Sequence, residues 1–268
     1  MVTPKLVAKI EAEEPALRLA VLIDADNAQA AVIEGILGEV ARFGEATVKR
    51  IYGDFTSPQS ASWKKVLQTY AIKPVQQFAY TSGKNATDST LIIDAMDLLY
   101  TRRFGGFCLV TSDSDFTGLA TRIREEGLVV LGFGEQKTPD AFRNACNKFV
   151  LTELLRPAPA EAVPAAGPKP ETATVPMITP AGSGIKAPVP SFPRDFMLSA
   201  IDQSSDENGW AHLGTFGSYL TKLQPDFDPR VYGFKKLSDL VRSRQDIFVT
   251  EERTPPGQTQ KQLYLKSK

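Results

Sequence analysis

The sequence predicts an α/β domain, a parallel sheet with helices on both faces, followed by a Pro-rich linker and a small winged helix-turn-helix domain. Three observations predict it. Between residues 17 and 156, short β-branched apolar runs alternate with stretches of helical spacing, the pattern of a sheet buried on both faces. Residues 157–193 are dominated by Pro, Ala, Gly, Thr and Val, which cannot build a core and read as an extended linker. Residues 194–268 then read as three helices and a hairpin, the plan of a winged helix.

Taken in order, residues 1–16 carry several acids and no apolar stretch of signal-peptide type, and read as a flexible lead-in. "LAVLID" (19–24) is a continuous apolar strand. "AQAAVIEGILGEVARFG" has helical spacing and stops at Gly44, a C-cap residue. "ATVKRIYGDF" (46–55) is the next strand, and Ser57-Pro58 opens a helix through "SASWKKVLQTYA", with Ser as N-cap and Pro in the first turn. "KPVQQFAY" is a third strand. "DSTLIIDAMDLLYTRR" is a helix whose Leu91, Ile92, Ala95, Leu98 and Leu99 share one side. "FCLVTSD" is a strand, "DFTGLATRIREEG" a helix, "LVVLGFG" a strand, and "DAFRNACNKFVLTELL" (140–155) a final helix. Beyond the linker, "RDFMLSAIDQS", "TFGSYLTKLQ" and the longer "RVYGFKKLSDLVRSR" read as helices. "DIFVTEE" and "KQLYLKS" flank the turn-rich "RTPPGQTQ" as a two-stranded wing. The two parts, 17–156 and 194–268, are expected to fold independently.

Composition narrows the chemistry. The 268 residues hold 31 Lys+Arg and 31 Asp+Glu, so any attraction to nucleic acid must come from a local basic surface. Two cysteines in apolar or helical contexts, Cys108 and Cys146, do not make a disulfide framework, and a reducing cytoplasm is the expected compartment. No apolar run reaches membrane-spanning length. The single histidine, His212, rules out a His-rich zinc site. A serine triad would need that same residue, which lies far in sequence from the acids described next, and it reads as a surface or cap residue.

The acids are the informative feature. Asp24 ends the first strand and Asp113 the fourth, so both arrive at the carboxyl edge of the sheet, where open α/β sheets place their functional crevice. Asp26, Asn27 and Asp115 follow in the adjoining turns. Asp88 starts the helix after the third strand and joins the same edge. Asp26, Asp88 and Asp115 each also read as helix N-caps. Asp24 and Asp113 do not, because a carboxylate at the end of a buried strand is costly unless paired or metal-bound. Carboxylates this close need a counter-charge. Oxygen-only ligands favour Mg²⁺ or Mn²⁺, which can ionise a water and stabilise charge on a phosphodiester. Lys84, in the loop before Asp88, can reach a phosphate oxygen, and Ser112 and Asn27 can orient ligands or a water. "GFG" (132–134) hints at a phosphate loop but lacks a third glycine, and reads as a tight turn.

"LIDADN", "GKNATDSTLIIDAMDLLY" and "CLVTSDSDFTGLATRIREEGLVVLGFG" resemble, in order and spacing, the motifs of an NYN domain of the PIN-like nuclease superfamily, over roughly residues 17–155. The resemblance implies a metal-dependent ribonuclease with Asp24, Asp88, Asp113 and Asp115 as its acidic metal site and Asn27 as the polar helper of the first motif. "YGFKKLSDLVRS", with "GWAHLGTFGSYL" before it, is similar to a LOTUS, or OST-HTH, domain, which implies RNA binding. Lys235, Lys236, Arg242 and Arg244 are its candidate basic face. Three readings stay open here: a Mg²⁺- or Mn²⁺-dependent ribonuclease, a metal-dependent phosphatase on the same acids, and an RNA-binding or protein-interaction regulator that cuts nothing. A homodimer or protein partner through the LOTUS part is a further expectation.

Overall fold

The computed structural model describes residues 16–56, 61–78, 86–156, 192–254 and 260–268. The lead-in through residue 15, the Ser57-Pro58 cap, Lys84, the hairpin tip 255–259 and the linker from 157 to 191 lie outside them. The chain divides into two units, Met1–Leu155 and Arg156–Lys268.

The first unit is built on a six-stranded parallel sheet in the order β3-β2-β1-β4-β5-β6. Its strands are β1 (Arg18–Asp24), β2 (Glu45–Gly53), β3 (Lys73–Gln76), β4 (Gly106–Val110), β5 (Val129–Gly134) and β6 (Lys148–Leu151). The chain builds outward from β1 through β2 to β3, then returns to the other side of β1 with β4. The strand order therefore reverses between β1 and β4, the position where a doubly wound sheet opens a crevice.

Alternation along β1 explains why the central strands read as unbroken apolar runs. Ala20 and Leu22 face one layer with Phe107 and Leu109 of β4, under α3 (Ala86–Tyr100), α4 (Thr117–Glu125) and α5 (Asp140–Ala145). Leu19, Val21 and Ile23 face the other with Cys108 and Val110, under α1 (Ile33–Val40) and α2 (Ala61–Thr69). Both faces are dry, so period-2 polarity disappears. Both cysteines are free and buried, and burial pushes the Cys146 thiol up to about 12, which leaves it unreactive. At one end of the sheet, β3 is only four residues long, is largely exposed, and contains Pro74.

The expected final helix, 140–155, is not one helix. It ends at Ala145, Cys146 turns extended, and Lys148–Leu151 forms β6 before a 3-10 turn at Thr152–Leu155. Asn147 makes the break. Its side-chain oxygen accepts from Val130 N at 2.8 Å while its own N–H donates to Val130 O at 2.8 Å, so the backbone is captured by β5 instead of continuing the helix. The glycines of "GFG" serve this docking. A Cβ on Gly132 would sit 2.6 Å from Cys146 Sγ and from Phe149, and one on Gly134 2.5 Å from Thr111 O. They allow close approach of strand and helix and form no phosphate cradle.

In the second unit α6 (Arg194–Ser204), α7 (Leu213–Leu223) and α8 (Leu237–Ser243) enclose a core of Met197, Ile201, Phe216, Leu220, Leu240 and Phe248. A three-stranded antiparallel sheet, in the order β7-β9-β8, closes it. Its strands are β7 (Ala211–His212), β8 (Phe248–Arg253) and β9 (Gln262–Ser267). The expected long helix 230–244 is two pieces. A 3-10 turn at Pro229–Tyr232 ends at Gly233, whose φ of 85° is the left-handed region that stops a helix, and α8 starts four residues later. Among the described residues no helix is long and apolar enough to cross a membrane.

Candidate metal centre and nucleic-acid surface

The carboxyl ends of β1 and β4 are neighbours: Ile23 pairs with Val110, and each strand delivers an aspartate just beyond. Asp24 is fully buried. Its Oδ1 accepts from Asp26 N at 3.0 Å, and its Oδ2 accepts from Asn27 Nδ2 at 2.8 Å and from Thr111 Oγ1 at 2.9 Å. Burial raises its pKa, and the three donors oppose that rise. Asn27, expected as a polar helper toward ligand or water, spends its amide N–H on Asp24.

Nothing in the sequence marks Thr111, because a Thr closing a β-branched strand is ordinary. It is buried, donates to Asp24, and accepts from Asp113 N at 3.1 Å. One hydroxyl thus ties the ends of the two central strands together. The Ser112 Oγ accepts from Glu135 N at 2.9 Å, which joins the ends of β4 and β5.

Asp113 and Asp115 come from the same turn. Asp113 is the N-cap of the 3-10 turn Ser114–Phe116 and accepts from Asp115 N at 2.9 Å. In both turns the strand-end aspartate accepts from the backbone two residues on, Asp24 from Asp26 N and Asp113 from Asp115 N. From the other side α3 brings Asp88 in its first turn. Carboxylate oxygens of Asp88, Asp113 and Asp115 lie within 4.8 Å of one another. Asp24 lies outside this triad, but its charge reaches it. The Asp88 carboxyl is pushed up to about 6, first by partial burial and then by the charges of Asp24, Asp113, Asp115 and Asp26. A hard divalent cation fits such an all-oxygen, mutually repelling donor set.

The repulsion gives a stability signature. In EDTA, Asp88 takes up its proton near pH 6 when folded but near 3.8 when unfolded. The folded chain binds more protons in that window, so stability falls as pH rises through it, and the penalty is complete above it. Asp88→Asn is therefore expected to melt above wild type in EDTA at pH 7.5 and to keep only part of that advantage at pH 5, the rest disappearing below the unfolded value of 3.8. Differential scanning calorimetry at the two pH values checks it.

What holds α3 in place lies one layer below. Arg50 and Tyr52 of β2 both donate to the Asp94 carboxylate on α3. Tyr52 is fully buried, and burial with the Asp94 carboxylate beside it pushes its phenol well above the usual range. This network fixes the helix that carries Asp88. A cavity of about 290 Å³, lined by residues including Leu99, Phe104 and Leu128, sits at the opposite, amino edge of the sheet and shares no residue with the acids.

The four basic residues of the second unit separate into two kinds. Lys235 and Lys236 are exposed, and among the described residues neither has an ion-pair partner. Arg242 is held by Glu252 at 2.7 Å. Arg244 is held by Asp246 at 2.9 Å and lies 4.1 Å over the Phe192 ring. Of the four, the lysine pair at the N-terminus of α8 is the part with no carboxylate partner among the described residues.

Comparisons with known proteins bear on both units. Residues 189–259 match the OST-HTH/LOTUS domain. A solution NMR structure of an uncharacterized protein from Nitrosomonas europaea is 57% identical, covering 37% of this chain and 92% of that one, at a TM-score of 0.29. A crystal structure of a protein of unknown function from Vibrio parahaemolyticus is 17% identical, covering 52% of this chain and 94% of that one, at a TM-score of 0.44. A solution NMR structure of a protein from Chromobacterium violaceum is 30% identical, covering 30% and 84%, at a TM-score of 0.24. No curated protein matches the chain. The NYN domain, of the PIN-like nuclease superfamily, matches residues 18–153, and the chain belongs to that family.

Proposed function

We propose that the protein is a Mg²⁺- or Mn²⁺-dependent ribonuclease whose LOTUS domain delivers the RNA. The observation that carries the reading is the convergence of Asp88, Asp113 and Asp115 within 4.8 Å at the strand-reversal point. Asp88, Asp113 and Asp115 hold the cation, with Asp24 beneath them adding negative charge. The bound cation supplies an activated water and neutralises charge on the phosphodiester. The residues of the chain do the positioning. Thr111 fixes the separation of the two strand ends, Asn27 holds the Asp24 carboxylate, and Arg50, Tyr52 and Asp94 set the depth of α3. Lys84, from the loop before α3, is assigned to a phosphate oxygen.

The test is incubation of purified protein with labelled RNA in Mn²⁺, in Mg²⁺ and in EDTA. Cleavage that requires the cation is expected. A chain that retains RNA but never shortens it, with either cation, is a binding protein. Release of phosphate from small monoesters in place of RNA cleavage assigns the site to a phosphatase.

The acidic centre repels RNA until a cation is bound, so affinity is expected to come from the second unit. Lys235→Glu with Lys236→Glu should raise the RNA dissociation constant and flatten its salt dependence, the slope falling by about one for each phosphate no longer neutralised. Cleavage at saturating RNA should stay near normal. Binding titrations at two salt concentrations check it, and unchanged affinity and slope would mean the pair does not touch phosphate.

A further inference from the structure

The outer face of the three-stranded sheet carries a feature that neither the acidic centre nor the lysine pair uses. In this sheet Ala211, Leu265 and Phe248 point inward and are buried. The alternate positions point outward. His212 pairs with Tyr264, Tyr264 with Glu251, and Arg253 with Gln262, which places His212, Tyr264 and Arg253 on one face. Trp210 joins them from the residue before β7. The Arg253 guanidinium lies 4.3 Å from the Trp210 ring and 5.1 Å from the Tyr264 ring, and Glu251 steadies it at 2.9 Å. The His212 and Tyr264 rings are 5.4 Å apart. All four side chains are partly exposed.

We propose that this face, Trp210, Arg253, Tyr264 and His212, is a stacking platform for unpaired nucleobases, which makes single-stranded RNA the ligand of the second unit. The proposal rests on the RNA-binding reading above and names the form of RNA. Three planar side chains and a guanidinium on an open sheet face offer π surfaces that any base can cover. The Arg253 guanidinium, over Trp210 and beside Tyr264, adds a cation–π partner for a base that reaches this face. A duplex keeps its base faces inside and cannot use such a surface. The surrounding charge suits a phosphate chain: Arg253, Lys261, Lys266 and Lys268 outnumber Glu251 and Glu252 on and beside the two wing strands.

The chain has two tryptophans, and Trp63→Phe leaves Trp210 as sole reporter. Full-length Trp63→Phe protein in EDTA is titrated with a labelled ten-nucleotide single-stranded RNA and with a blunt duplex of the same length, reading tryptophan emission and RNA anisotropy together. The single strand is expected to quench Trp210 to saturation and the duplex to leave it unchanged. Tyr264→Ala should weaken single-strand binding on the order of tenfold, within the range of one missing base stack. Tyr264→Phe, which keeps the ring, should bind as its parent and shows that the ring is what matters. Single-strand binding seen by anisotropy with unquenched emission, or equal affinities for Tyr264→Ala and Tyr264→Phe, would overturn the platform and leave the RNA-binding reading standing. Equal quenching by duplex would overturn the assignment to unpaired bases. Absence of any binding would remove the RNA-binding reading and the platform together.

Discussion

Asp113→Asn is expected to cut cation-dependent RNA cleavage roughly 10²–10³-fold, the scale on which one preorganised electrostatic partner acts, while its melting temperature in EDTA stays at or above wild type. Asparagine keeps the oxygen that accepts from Asp115 N, so the turn survives. It removes one charge from the triad, which weakens the hold on the cation and relieves the repulsion on Asp88. Asp24→Asn separates the two effects. Both Asp24 oxygens are engaged as acceptors, by Asp26 N on one and by Asn27 and Thr111 on the other. An amide must turn a donor toward a donor. Asp24→Asn is therefore expected to lose cleavage and to be less stable, by about 1–3 kcal/mol for a buried group left unsatisfied. Single-turnover cleavage with calorimetry on both variants decides the matter. Wild-type cleavage by Asp113→Asn would end the metal-nuclease reading.

The second large effect is on stability. Asp94→Ala is expected to destabilise the first unit by about 2–3 kcal/mol. Breaking a fully buried ion pair from one side costs about 3–5 kcal/mol. Here the Arg50 and Asp94 side chains are 25% and 21% exposed, so solvent screens part of that loss. Tyr52 has no such relief, because its ring is fully buried and its hydroxyl donates to Asp94. Asp94→Asn, which keeps one acceptor, should fall between wild type and Asp94→Ala. Urea melts of the three proteins measure the series. A shift under about 0.5 kcal/mol for Asp94→Ala would place the network outside the residues that fix α3, since surface changes act on that scale.

The acidic centre is legible in the sequence because two apolar runs end in aspartate, and the parallel sheet sends both ends to one edge. Asp88 follows from the same rule, as a helix start at that edge. The tie between them cannot be read the same way. Thr111 looks like any strand residue until β1 and β4 are set side by side, and Arg50 and Asp94 are 44 positions apart. The sixth strand is hidden for a different reason. Phe142, Ala145 and Phe149 keep helical spacing across Asn147, so periodicity continues where the backbone does not. In the second unit Gly233 divides an apolar pattern that reads as one helix, because its left-handed backbone ends the 3-10 turn before it.

The short strand β3 has a consequence for how copies of this protein can meet. A sheet margin normally offers a ladder of backbone donors and acceptors that a neighbouring chain can extend into a continuous ribbon. At this margin Pro74 contributes no N–H, and Lys73 brings a charge that a second copy would have to desolvate. Main-chain pairing is disfavoured there by two adjacent residues, so a homotypic contact at this side is expected to rely on side chains. Such contacts can be tuned or abolished by single substitutions without touching the fold.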